Sequence, residues 1–122
     1  RLFEKKDGRI RWSDPAVRIH NLVRAANPWP AALCLFRGEH IRILQTSVVS
    51  RPATAPPGVI TGVEKDRLLV TTGEGTLAIR RAQLPGRRPL DMTAFLPGAR
   101  IQPGEQFQEA PEPDQNNGAA QP

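Results

Sequence analysis

Asp7-Gly-Arg-Ile-Arg-Trp12, Ser13-Asp-Pro15 and Asn27-Pro-Trp-Pro30 set out a strand, a helix start and a rigid exit within residues 7–30. Gly8 supplies a turn, and Ile10 and Trp12 alternate as one face of a strand. Ser13 or Asp14 suits the N-cap and Pro15 the first helical position, so a helix is expected from about Asp14. Ala16, Ile19, Val23 and Ala26 recur at three- and four-residue spacing with Leu22 beside them, while Arg18, Asn21 and Ala25 fall on the other side. That stripe faces a core. Asn27 suits the left-handed position after a helix and Pro28 cannot continue one, so the segment should end there and pass through Trp29-Pro30 into a strand. On this reading Asn-Pro-Trp-Pro anchors a corner rather than touching a ligand.

Beyond this stretch the chain reads as a meander. Residues 31–36 and 41–49 are apolar runs joined by Arg37-Gly38-Glu39-His40, and residues 58–63, 67–72 and 76–84 give three more strands. Asp91 is placed to cap a single helical turn through Phe95, which Pro97-Gly98 would stop, and Arg100-Ile101 and Phe107 would close the fold. A length of 122 residues fits one domain, and thirteen Pro with ten Gly imply many short elements with frequent corners. The expected fold is mainly β: a small Greek-key, OB-like barrel of about six strands with one N-terminal helix and a short C-terminal helical turn. The domain is expected over residues 1–107. Residues 108–122 offer Glu, Pro, Gln, Asn, Gly and Ala but no core-forming residue, and read as a disordered acidic and polar tail.

Charge supplies the functional signal. From Glu109 onward there are three acids and no base, which leaves 17 basic residues against 9 acids and a formal charge of +8 on the rest. Fourteen of the cations are arginine, paired at Arg80-Arg81 and Arg87-Arg88. A polyanion is the natural partner, although such charge equally serves solubility. No run approaches the roughly 18 apolar residues of a membrane span, no secretory signal is evident, and a soluble, cytoplasmic protein is expected. Cys34 is the only cysteine and lies in an apolar run, so it reads as a buried thiol, and with His20 and His40 it makes no metal-ligand set. The chain opens at Arg1 without an initiator Met, as an excised domain would. Glu64 and Asp66 flank Lys65 in a polar hairpin tip, and Gly73-Glu-Gly75 precedes no helix, so neither suggests catalysis or phosphate binding.

The opening words resemble the start of the C-terminal domain of methionyl-tRNA formyltransferases, where Asp-Gly-Arg-Ile-x-Trp leads into a helix with Ile-His-Asn-Leu-x-Arg and then Asn-Pro-Trp-Pro. Pro57-Gly-Val-Ile, Leu69-Val-x-x-Gly-x-Gly-x-Leu77, Gln83-Leu-Pro-Gly-Arg-Arg-Pro-Leu, Phe95-Leu-x-Gly98 and Pro103-Gly104 are similar to later words of the family, in order. Ala31 stands where the family usually has Gly, and Leu90 where Met is common. The match covers roughly residues 3 to 107.

What the resemblance implies is a non-catalytic, tRNA-binding part of an enzyme that moves a formyl group from 10-formyltetrahydrofolate to the methionine amino group of initiator tRNA in translation initiation. The catalytic set and folate site of that family belong to an N-terminal formyltransferase domain, and none of it maps onto this chain. No cofactor or metal is expected in this domain, and a monomer of bacterial origin is. His20 and Asn21 point about 100° apart on a helix and read, with Arg24, as a surface facing the missing domain. Phosphate contacts are expected from Arg87 and Arg88 first, held by Pro85, Gly86 and Pro89 in an exposed loop, then from Arg37, Arg42, Arg80 and Arg81. Strand alternation puts Arg80 and Arg81 on opposite faces. The alternatives are a packing domain of another formyltetrahydrofolate-dependent formyltransferase or dehydrogenase, and a free-standing nucleic-acid-binding module.

Overall fold

A computed structural model describes residues 8–27 and 30–111. Helix α1 (Ala16–Ala26) precedes strands β1 (Ala32–Phe36), β2 (Glu39–Val49), β3 (Ile60–Val63), β4 (Leu68–Thr71), β5 (Thr76–Gln83) and β6 (Leu90–Asp91), and helix α2 (Met92–Ala99) follows. All ladders are antiparallel, in the order β1-β2-β5-β4-β3. β5 is central. Along one edge it pairs with β2, and along the other its first half pairs with β4 while Arg81 and Ala82 pair with Asp91 and Leu90 of β6.

The expected OB-like barrel does not form: the six-stranded sheet stays open, with helices flanking it. Closure would need a ladder between the edge strands. β1 and β3 share none; instead residues 104–108 lie between them, meeting the β3 side at Val59↔Gln106 and β1 at Leu35↔Gln108 through isolated bridges. Only single bridges form because β3 has four residues, its ladder shifts register between Ile60 and Gly62, and the approaching segment begins with Pro103, which has no N–H, and turns at Gly104 with φ 100°. The bridging segment still completes the core. Phe107 stacks on Trp12 at a centroid distance of 5.3 Å and sits 4.8 Å from Phe36.

Ile10 and Trp12 are buried, as their alternation predicts, but they lie in no strand. The arm that carries them makes a bridge from Arg9 to Leu33 and a hydrogen bond from the Ile10 N–H to the Leu33 carbonyl. The buried face of α1 is Ala16, Ile19, Val23 and Ala26, the stripe expected from the sequence. Its start differs. Pro15 is the N-cap, with no side-chain cap from Ser13 or Asp14, and the free Ala16 N–H donates to the Glu74 carbonyl at 2.9 Å. The β4–β5 turn therefore caps the helix, helped by the Gly73 N–H donating to the carbonyls of Trp12 and Asp14. A Cβ at Gly73 would overlap the Ser13 carbonyl, so this approach requires glycine.

At the other end Asn27 is extended (φ −88°, ψ 133°) rather than left-handed. The left-handed residue is Ala31, with φ 72°, whose N–H returns to the Ala26 carbonyl at 2.8 Å. That conformation gives a physical reason for the glycine usual in the resembled family. Pro28 and Trp29, at the centre of the expected corner, lie outside the described residues, as does most of the expected tail, residues 112–122. α2 is longer than the expected single turn and runs through Pro97 and Gly98 to Ala99, ending where Arg100 turns left-handed at φ 51°. Asp91 holds the N-cap position without a cap bond because its carboxylate pairs with Arg81.

Candidate nucleic-acid interface

The hairpin between β1 and β2 turns on Arg37 and Gly38, both at positive φ (53° and 80°), the primed geometry that matches strand twist. This aims Arg37 back across the molecule. Its Nε and Nη2 donate to the two carboxylate oxygens of Glu105, each at 2.8 Å, and Nη1 donates to the Ala99 carbonyl at 2.8 Å. The guanidinium carbon lies 4.9 Å from the Phe36 ring centroid. The Arg37 fork, aided by the Gln102 N–H, lowers the Glu105 carboxyl to about 2, and Glu105 in return raises Arg37. Arg37 is thus a latch between the first hairpin and the segment after α2.

Two more of the expected phosphate contacts are also engaged. Arg80 reaches Asp66 of the β3–β4 turn at 3.5 Å, and Arg81 reaches Asp91 of β6 at 2.8 Å. The neighbouring arginines address different elements, and Arg81 lines a groove along α1 with His20, Arg24 and Thr46. In that groove His20 Nδ1 is 2.8 Å from the Thr46 hydroxyl, while Arg24 donates to Asn21 Oδ1 at 3.4 Å. Arg81 therefore lies with His20 and Arg24, two of the residues assigned to a domain interface, in a groove that Pro89 of the arginine loop also lines.

Arg42, Arg87 and Arg88 are exposed and meet no carboxylate among the described residues. Gln83 joins them: it is the cross-strand partner of Arg42, and its Nε2 donates to the Arg87 carbonyl at 2.7 Å. The Arg87 N–H closes a turn onto the Leu84 carbonyl, with Gly86 at φ 71°. Together these bonds hold the loop beside the β1–β2 hairpin, where His40, Arg42, Gln83 and Pro85 line one cleft. Gln83, Asp66, Asp91 and Glu105 were not legible as determinants of this charge pattern, because each acts through a partner fixed by register or by chain reversal. Cys34 is fully buried and burial pushes its thiol pKa up, which makes it no nucleophile. Among the described residues no helix is long and apolar enough to cross a membrane.

Residues 3–100 match the family described as formyl transferase, C-terminal domain. Over 103 residues the chain is 37% identical to a methionyl-tRNA formyltransferase of Alkaliphilus metalliredigens, a match covering 84% of this chain and 33% of that protein. A second, from Solibacter usitatus, is 38% identical over 108 residues, covering 88% and 34%. The chain thus spans about a third of the length of the curated relatives it matches. In fold it is similar to part of HypX from Aquifex aeolicus, solved in complex with tetrahydrofolic acid, with a TM-score of 0.64 at 15% identity over 78% of this chain and 17% of that one. The arm, helix and antiparallel sheet described above are accordingly those of a known domain, and this chain belongs to the formyl transferase C-terminal domain family.

Proposed function

We propose that this chain is the tRNA-docking domain of a methionyl-tRNA formyltransferase, working as a cytoplasmic monomer in a bacterium. The whole enzyme would transfer a formyl group from 10-formyltetrahydrofolate to the methionine amino group of initiator tRNA, with the chemistry and the folate site in an N-terminal formyltransferase domain. The observation that carries the reading is the cluster of Arg42, Arg87 and Arg88, exposed together and free of carboxylates among the described residues. Guanidinium groups so placed neutralise successive phosphates of a structured RNA, and binding then releases counterions. His20, Asn21 and Arg24 would face the catalytic domain across the α1 groove.

Fluorescence anisotropy with labelled initiator tRNA across a salt series tests this. Affinity is expected to fall steeply with salt, and an elongator tRNA run beside it reports whether discrimination lies in this domain or in the catalytic one. Absence of binding even at low salt would overturn the reading and make this a packing domain.

A further inference from the structure

A cleft of about 380 Å³ opens beside the arginine cluster, between the β1–β2 turn, the 84–90 loop and α2. Its walls are apolar, from Phe36, Leu84, Leu90 and Phe95, and three charged residues also line it: Arg37, already held by Glu105, and Glu39 and Arg87. The volume falls within the range of about 300–1,000 Å³ for small-ligand pockets, and apolar walls with a few polar groups are their usual make-up. Glu39 and Arg87 are both exposed, yet they form no ion pair with each other or with any other described residue. A carboxylate facing RNA repels phosphate but accepts a hydrogen bond from the exocyclic amine of a base.

We infer that this cleft takes one unpaired, amine-bearing nucleobase of the bound RNA: the base enters between the apolar walls, its amine donates to Glu39, and its flanking phosphate rests on Arg87. The inference deepens the RNA-docking reading and rests on it. Two features argue for this occupant over an apolar peptide: the cleft is continuous through Arg87 with the cations that meet no carboxylate among the described residues, and its one carboxylate, Glu39, is a group that a polyanion tolerates only where a donor meets it.

The test is anisotropy of the chain with a labelled uridine oligoribonucleotide and with the same oligomer carrying one central cytidine or adenosine. The amine-bearing oligomers are expected to bind roughly fivefold or more tightly. Glu39→Ala should remove that preference without reducing the salt slope. Ala94→Phe, at an exposed α2 position lining the cleft, should fill it and weaken binding of the amine-bearing oligomers alone. Equal affinity for all oligomers with an undiminished salt slope would overturn the base site and leave RNA docking standing. Salt-independent or absent binding to every RNA would overturn both.

Discussion

Arg80 and Arg81, within β5, end on Asp66 and Asp91, whereas Arg87 and Arg88, in the loop that β5 enters, meet no carboxylate among the described residues. The strand supplies the first pair with neighbours: Arg81 and Asp91 are register partners across the β5–β6 ladder, and the β3–β4 turn brings Asp66 alongside Arg80. The loop supplies the second pair with none, since Pro85, Gly86 and Pro89 bring no charge and the Gln83 amide binds only the Arg87 carbonyl. Formal charge therefore overstates the field a partner meets. What matters is which cations the fold has left without a counter-ion.

The largest expected effect separates the two pairs on binding. Each phosphate contact is worth about 0.7–0.9 log units of affinity at 0.1 M salt, so Arg87→Ala/Arg88→Ala should weaken tRNA binding on the order of 25- to 60-fold, with thermal stability unchanged. Next comes Arg37, where four hydrogen bonds end on one exposed guanidinium. Arg37→Ala should lower stability by about 1–2 kcal/mol in urea titration while leaving the salt slope of binding nearly intact; Arg37→Lys should not restore it, because an ammonium cannot reproduce the fork.

The same latch sets an acid limit. Glu105 titrates at about 2 in the folded chain, below the ordinary glutamate value of about 4.3. Its stabilising contribution is complete above that ordinary value and is lost as pH falls from there towards 2. Acid unfolding followed by circular dichroism should therefore steepen between those limits, and Arg37→Ala should flatten that part of the curve. The smallest effects belong to Arg80→Ala and Arg81→Ala. Each removes an exposed pair and should cost less than about 1 kcal/mol in thermal melts.

Local periodicity carried much of this architecture. The α1 stripe is legible because helical spacing alone selects Ala16, Ile19, Val23 and Ala26, and the five main strands lie where their apolar runs do. The features that escaped are set by distant chain. The α1 cap comes from Glu74, so a search for a local Ser or Asp cap could only point to the wrong residues. Ile10 and Trp12 announce burial by their alternation, but burial does not specify a ladder, and the arm is not a strand. Sheet closure depends on how residues 104–108 meet both edges, which strand-by-strand patterning cannot encode. The six arginines were visible as cations, but their division into latch, strand pairs and free cluster required the positions of Glu105, Asp66 and Asp91.

The most direct test of that division compares two double variants that remove the same formal charge. Arg87→Ala/Arg88→Ala and Arg80→Ala/Arg81→Ala are titrated with initiator tRNA over one salt series, with folding checked by circular dichroism. The loop variant should shallow the log–log slope by about 2, and the strand variant by much less. Equal loss of slope in the two folded variants would contradict the account, since the RNA would then be reading total charge rather than the arginines the fold leaves unpaired.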